Sequence, residues 1–177
     1  MKLFIASDLH GSYNAAEKIL QNFRKEGAEH LFLLGDIYNH GPRNGLPESY
    51  DPMKVAELLN GIKEKLTVIK GNCDSEVDEM ISEFDFLDGA CLFVDGKRIF
   101  LTHGHVYDKN RLPKNADVLI YGHVHTGFIE EKNGITVANP GSVTFPKNGT
   151  PKSYLIIENG ILTLKDENGA VIAEKKL

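Results

Sequence analysis

Seven side chains able to hold a metal ion stand just after apolar runs in this sequence. The densest group is Gly122-His123-Val124-His125, which ends the run Val118-Leu119-Ile120-Tyr121. Imidazole is the commonest side-chain metal ligand, and a glycine before it lets the backbone turn sharply beside an ion. Taken alone, two histidines one residue apart read equally well as surface groups after a strand. The same grammar recurs, however. Lys2 to Ser7 runs into Asp8-Leu9-His10, and His30 to Leu34 into Gly35-Asp36. Leu66 to Lys70 runs into Gly71-Asn72-Cys73-Asp74, and Arg98 to Thr102 into His103-Gly104. Five strands of buried character thus end in a carboxylate, an imidazole or an amide, which chance does not readily arrange.

In parallel α/β sheets, ligands bind beyond the carboxyl ends of the strands. Those ends offer Asp8, His10, Asp36, Asn72, His103, His123 and His125. This mixed nitrogen and oxygen set, with no thiolate commitment, suits manganese, iron or zinc better than calcium or a structural zinc. Seven ligands are too many for one ion that must also meet a substrate. They fit two divalent ions that share one carboxylate. Two ions about 3.5–4 Å apart are the usual device for displacement at phosphorus, where they activate a bridging hydroxide and clamp the phosphoryl oxygens.

The elements that must position these groups follow from periodicity. Lys2 to Ser7 is apolar almost throughout, as a strand covered on both faces should be. Asn14 to Arg24 reads as a helix: Ala15, Ala16, Ile19, Leu20 and Phe23 recur at helical spacing, and Gly27 closes it. His30 to Leu34 then completes a β-α-β unit, so its two strands are parallel with a right-handed crossover. Tyr38 to Pro52 is a long loop with three prolines, of the kind that is usually functional. Pro52 starts a helix whose apolar face is Val55, Leu58, Leu59 and Ile62. Glu76 to Phe84 reads as a short helix capped by Ser75. From Ala90 the texture changes to hairpins turning at Asp95-Gly96, Asn133-Gly134 and Asn159-Gly160, with a last strand from Ala170 to Lys175. The expected fold class is α/β. It is one domain over residues 1–177, with two packed sheets and helices outside.

Bulk composition narrows the function classes. At 177 residues, 41% hydrophobic and 25% charged, the chain suits one soluble globular domain. A net charge of −5 offers no basic surface to duplex nucleic acid. No run of about 18 apolar residues is present to span a membrane, and the first residues enter a strand without a leader. Cys73 and Cys91 show no paired spacing, so a reduced, cytoplasmic protein is expected. Cys91, on an apolar strand, is expected in the core. His30, at a strand start, is expected at the surface.

The series Asp8-x-His10, Gly35-Asp36, Gly71-Asn72-x-Asp74, His103-Gly104 and Gly122-His123-x-His125 resembles the calcineurin-like metallophosphoesterases. The full five-block set is specific, whereas any one block is weak. Leu34 to Arg43, Gly71 to Asp78 and Asn139-Pro140-Gly141-Ser142 look more narrowly like the bacterial YfcE-type phosphodiesterases. The resemblance implies a sandwich of two mixed β-sheets flanked by helices. It implies a phosphoric diester hydrolase acting on a small phosphodiester, and a homo-oligomer, dimer or tetramer. It assigns Asp8, His10, Asp36 and His125 to one ion. Asp36, Asn72, His103 and His123 go to the other, with Asp36 bridging and Asp36 and Asn72 counted as catalytic. Manganese is the first expectation for both ions, with zinc, iron or nickel as alternatives.

After Asn72 the wider family commonly has histidine, which contacts the phosphate and assists the leaving group. Cys73 stands here instead, as in the narrower subgroup, and it reads equally as a small buried hydrophobe. His40 and Arg43 are candidates for substrate binding, or else solvated loop residues. His105 is not expected to ligate. Asn139 to Ser142 is expected to be a structural turn. Two other readings compete with the enzyme. A retromer subunit shares the fold as a scaffold with altered metal positions. Nucleases of the superfamily carry added DNA-binding elements. Intact ligands and a short acidic chain favour the enzyme over both.

Overall fold

Two mixed sheets pack face to face in the computed structural model, which describes residues 1–177. The first sheet is built around the early strands β1 (Lys2–Ala6), β2 (His30–Leu33), β3 (Leu66–Ile69) and β4 (Phe86–Leu87), which are parallel to one another. Three late strands extend it: β10 (Ser153–Glu158), β11 (Ile161–Asp166) and β12 (Val171–Lys176). Its order is β12-β11-β10-β1-β2-β3-β4. β1 and β10 pair antiparallel, Lys2 opposite Glu158 and Ile5 opposite Leu155. The second sheet holds β5 (Ala90–Val94), β6 (Lys97–Thr102), β7 (Val118–Tyr121), β8 (Gly127–Lys132) and β9 (Ile135–Pro140), in the order β5-β6-β7-β9-β8. Its hairpins are antiparallel, but β6, β7 and β9 run parallel, so β6 and β7 end on the same side.

The helices cover one face of the first sheet. α1 (Tyr13–Glu26) starts at Ser12, whose hydroxyl accepts from Ala15 N, and ends at Gly27 in the left-handed conformation. α2 (Pro52–Asn60) starts with proline behind the cap Asp51. Their apolar faces close a core with Phe4, Leu31, Leu33 and Val68. The alternate side chains, Leu3, Ile5, Phe32 and Leu34, point the other way. They meet Ile99, Leu101, Val118 and Ile120 between the two sheets. α3 is shorter than its sequence suggests, Glu76–Met80, and the Asp78 carboxylate accepts from both N and Oγ of Ser75.

Two expectations fail, for one reason: sheet position. Cys91 is exposed, because β5 is an edge strand whose second face is uncovered; only Val94 on that strand is buried. His30 is half-buried beside β3, where Nε2 lies 2.8 Å from Thr67 Oγ1 and burial lowers its pKa. No helix is long and apolar enough to cross a membrane.

Candidate metal centre

The strand order brings the carboxyl ends of β1, β2 and β3 against those of β6 and β7. The seven candidate ligands meet there, four from the first sheet and three from the second. Their ligand atoms fall into two groups. Asp8, His10, Asp36 and His125 form one, Asp36, His103 and His123 the other, and Asp36 belongs to both. His10 Nε2 lies 3.7 Å from Asp36 Oδ2, and His103 Nε2 lies 3.4 Å from Asp36 Oδ1. Asn72 joins the second group through Oδ1, 3.0 Å from His103 Nε2.

Tautomers follow from the backbone around the rings. Nδ1 of His10 faces Asn39 O at 2.8 Å, that of His103 faces Leu34 O at 2.6 Å, and that of His125 faces Phe145 O at 2.9 Å. A carbonyl only accepts, so each Nδ1 carries the proton and each Nε2 turns a lone pair inward. Two of these lone pairs, on His10 and His125, face each other at 3.2 Å. His125 Nε2 also lies 3.2 Å from Asp8 Oδ1, yet a neutral ring has no proton there to give. Asp8 Oδ1 is therefore buried without a hydrogen-bond partner, the only such side-chain atom in the protein. Lone pairs and carboxylate oxygens converging on one space repel unless a cation sits among them. The residues thus fit divalent ions. Burial lowers the pKa of His10 and His123 and keeps their rings neutral, as ligation needs.

The backbone is bent to make this arrangement. Asp8, His10, Asp36, His123 and His125 all have positive φ, between 48° and 66°. Each such non-glycine residue costs on the order of 1–3 kcal/mol, which persists only where surroundings over-determine it. Here the loops are cross-tied. Asp8 N donates to Gly35 O, His10 N to Asp36 O, and His123 N to Asp8 Oδ2. Gly71 and Gly122 allow the closest approaches: a Cβ on Gly71 would strike Asp36 N, and one on Gly122 would strike Ser7 Oγ.

Sequence reasoning gave no role to Asp74, whose buried carboxylate accepts from Asp36 N, Ile37 N and Gly71 N at 2.7–2.8 Å. It holds the Asp36 turn against the Asn72 turn, and burial pushes its carboxyl up to about 6. Its signal was present in the Gly-Asn-x-Asp block, two residues after a ligand. The Asn139–Ser142 turn is a support from behind. Ser142 Oγ donates to Asp8 O, and Asn139 Nδ2 donates to Gly122 O.

A small cleft of about 70 Å³ opens over the centre, with Arg43, Cys73 and Lys147 among its lining. Arg43 and Lys147 are exposed cations at the rim. Lys147 was missed because it sits on an ordinary-looking turn 22 residues beyond the last ligand; its backbone N donates to His125 O at 2.8 Å. His40 is not in the cleft. Its Nδ1 lies 3.2 Å from Asn44 O, and its ring packs edge-on to Tyr50. Cys73 is half-buried, with N donating to Asp36 Oδ1 at 2.9 Å. Burial, then the Asp36 carboxylate, pushes its thiol up to about 12. His105 is exposed, its ring centroid 5.5 Å from that of His103.

Fold and site together define a class: the chain belongs to the calcineurin-like phosphoesterase superfamily, whose domain matches residues 1–160. Within that class it is 47% identical over 167 residues to phosphodiesterase YfcE of Escherichia coli K12, covering 93% of this chain and 91% of that protein. The solved structure of E. coli YfcE, described as a phosphoesterase, superposes with a TM-score of 0.96 at 43% identity, covering 99% of each chain. Probable metallophosphoesterase YsnB of Bacillus subtilis is 32% identical over 176 residues, 93% of this chain and 89% of that one. Vacuolar protein sorting 29 of Cryptosporidium parvum has a TM-score of 0.69 at 19% identity, over 99% of this chain and 98% of that one, which shows the shared fold.

Proposed function

We propose that this chain is a binuclear metal-dependent phosphodiesterase that cleaves a small phosphodiester. The carrying observation is the pair of ligand groups that share Asp36. Asp8, His10, Asp36 and His125 would hold one ion, and Asp36, Asn72, His103 and His123 the other. Bound there, the ions would supply water activated for attack on phosphorus and positive charge for the phosphoryl oxygens. Manganese is the first choice for a nitrogen and oxygen set of this kind, with zinc, iron or nickel as alternatives.

The chain's own residues do the rest. Asp36 holds both halves of the site together, and Asp74 fixes the turn that presents it. Arg43 and Lys147, at the rim, suit the non-bridging oxygens of the diester. Cys73, half-buried beside Asp36, is not assigned the attack, which falls to the metal-activated water. A net charge of −5 supports a small substrate over duplex nucleic acid. A single domain, a cytoplasmic location and a homo-oligomeric working form belong to the same proposal.

The scaffold reading is weaker because a scaffold has no need of seven converging ligands on a strained backbone. The test is Asp36→Asn. Wild type should hold two ions per chain by elemental analysis and cleave aryl phosphodiesters. The variant should lose more than the 10–100-fold typical of an outer-shell partner while keeping its far-ultraviolet circular dichroism. Full turnover in the variant, or a single ion in fully active wild type, overturns the binuclear reading.

A further inference from the structure

A groove on the outer face of the second sheet leads away from the metal centre. Phe100 and Thr102 of β6 face outward there, opposite to Ile99 and Leu101 in the core. Segment 103–117 lies over that face and leaves two adjoining hollows. The inner one, about 510 Å³, is bounded by Gly71, which precedes the ligand Asn72, and by His105, which packs beside the ligand His103. The outer one is about 820 Å³. Phe100 and Tyr107 line both, meeting edge to face at 5.6 Å between centroids. Each hollow is of the size that takes a small ligand.

Its outer end is cationic. The outer hollow carries Arg98, Arg111 and Lys114 and no carboxylate, in a chain whose net charge is −5. Arg98 lies over the Phe93 ring at 5.4 Å and Arg111 over the Tyr107 ring at 5.2 Å. Arg98 Nη1 donates to Asn115 O at 2.9 Å; a guanidinium carries five N–H donors, so the others of Arg98, and those of Arg111, remain to meet an anion. Phe93 is 73% exposed, an aromatic face with nothing packed on its far side. One carboxylate, Asp88, lines the inner hollow, and Lys70 beside it is tied to Glu79. The sequence therefore runs from metal centre to aromatic floor to cationic end.

We propose that this groove is a second substrate subsite, which takes the aromatic ring and a further phosphate of a nucleotide-like arm while the scissile phosphate sits at the metal centre. It rests on the phosphodiesterase reading and names the substrate class within it: a diester with one nucleotide arm bearing an extra phosphate. An aromatic base would lie on Phe100 and Tyr107. The extra phosphate would be met by Arg98, Arg111 and Lys114.

Three p-nitrophenyl diesters with the same leaving group test it on metal-loaded protein. They are the methyl ester, the 5′-ester of thymidine 5′-phosphate, and the 5′-ester of thymidine 3′,5′-bisphosphate. In wild type the 3′-phosphate should raise kcat/KM by about tenfold or more, the effect of one charge-assisted contact. The triple variant Arg98→Ala, Arg111→Ala, Lys114→Ala should erase that gain and leave methyl p-nitrophenyl phosphate unchanged. Calorimetric binding of thymidine 3′,5′-bisphosphate should be lost with it. A missing 3′-phosphate gain in wild type, or a gain and binding that survive in the triple variant, overturns the subsite and leaves the phosphodiesterase reading intact. Failure to cleave any of the three diesters overturns the phosphodiesterase reading instead, and the calorimetry then decides the groove alone.

Discussion

Cys73 stands where the superfamily resemblance leads one to expect a histidine. A thiol donates a hydrogen bond more weakly than an imidazole, so the departing oxygen gets little help from it. Turnover should therefore rise steeply with leaving-group acidity, and aryl diesters should be cleaved far faster than alkyl ones. Cys73→Ser should cost little, since the proposed attacking group is the metal-activated water and not the thiol. Cys73→His should flatten the dependence. A series of kcat/KM values against leaving-group pKa for the three proteins reads this directly. Abolished turnover in Cys73→Ser with both ions bound would point to thiol chemistry. The seven candidate ligands, which the fold brings together, were legible because each follows an apolar run, a local pattern. His40 and Arg43 could not be separated by the same means: three residues apart in one loop, one packs on Tyr50 and the other lines the cleft. Side-chain direction in a proline-rich loop is set by contacts that the local pattern does not carry.

Among the elements, α1 is tied to the first sheet by one charged junction. Glu26, in its last turn, accepts from Lys165 Nζ at 2.8 and 2.9 Å and from Tyr154 OH at 2.8 Å. Burial pushes against the charge on Glu26, but the hydrogen bonds from Lys165 and Tyr154 outweigh it and hold the carboxyl below its ordinary 4.5. A depressed carboxyl contributes stability that is present above the unfolded value and lost as pH falls through the folded one. Glu26→Gln should thus cost about 1.5–3 kcal/mol at pH 7, and the gap to wild type should close as pH drops below 4.5. Urea unfolding at pH 7 and pH 3.5 measures it; a gap of equal size at both would show that the charge is irrelevant. Such a junction links residue 26 to residues 154 and 165, and no periodicity within either segment announces it. The misplaced Cys91 has the same origin. The run Cys91-Leu92-Phe93-Val94 reads as a buried strand, but burial depends on whether a neighbour covers both faces, and β5 is at an edge. Elements were legible where the signal is local, as in the Gly27 stop and the turn at Asp95-Gly96, and illegible where it lies in which strands become neighbours.

For the whole molecule, the candidate ligand set is a joint between two sheets. Asp8, His10, Asp36 and Asn72 extend from the first, and His103, His123 and His125 from the second. Each ion bound there would favour the folded over the unfolded chain by about 2.7 kcal/mol at a free concentration of 100 times its Kd. Chelation should accordingly lower Tm by roughly 5–11 °C per ion removed for a domain of this size. Differential scanning calorimetry with and without chelator tests this, and an unchanged Tm would mean that the joint holds without the ions. The pairing of β1 with β10 has a consequence of another kind, in time. Ala6 leaves the ribosome long before Ser153, and at about 5–20 residues per second the interval is between roughly 7 and 30 s. Throughout it, β1 can pair with β2 on one side, while its other edge shows open N–H and C=O groups to the cell. The centre of the finished sheet is thus the border of the unfinished one, and slow translation between residues 34 and 153 lengthens the exposure of the strand that carries the first ligand.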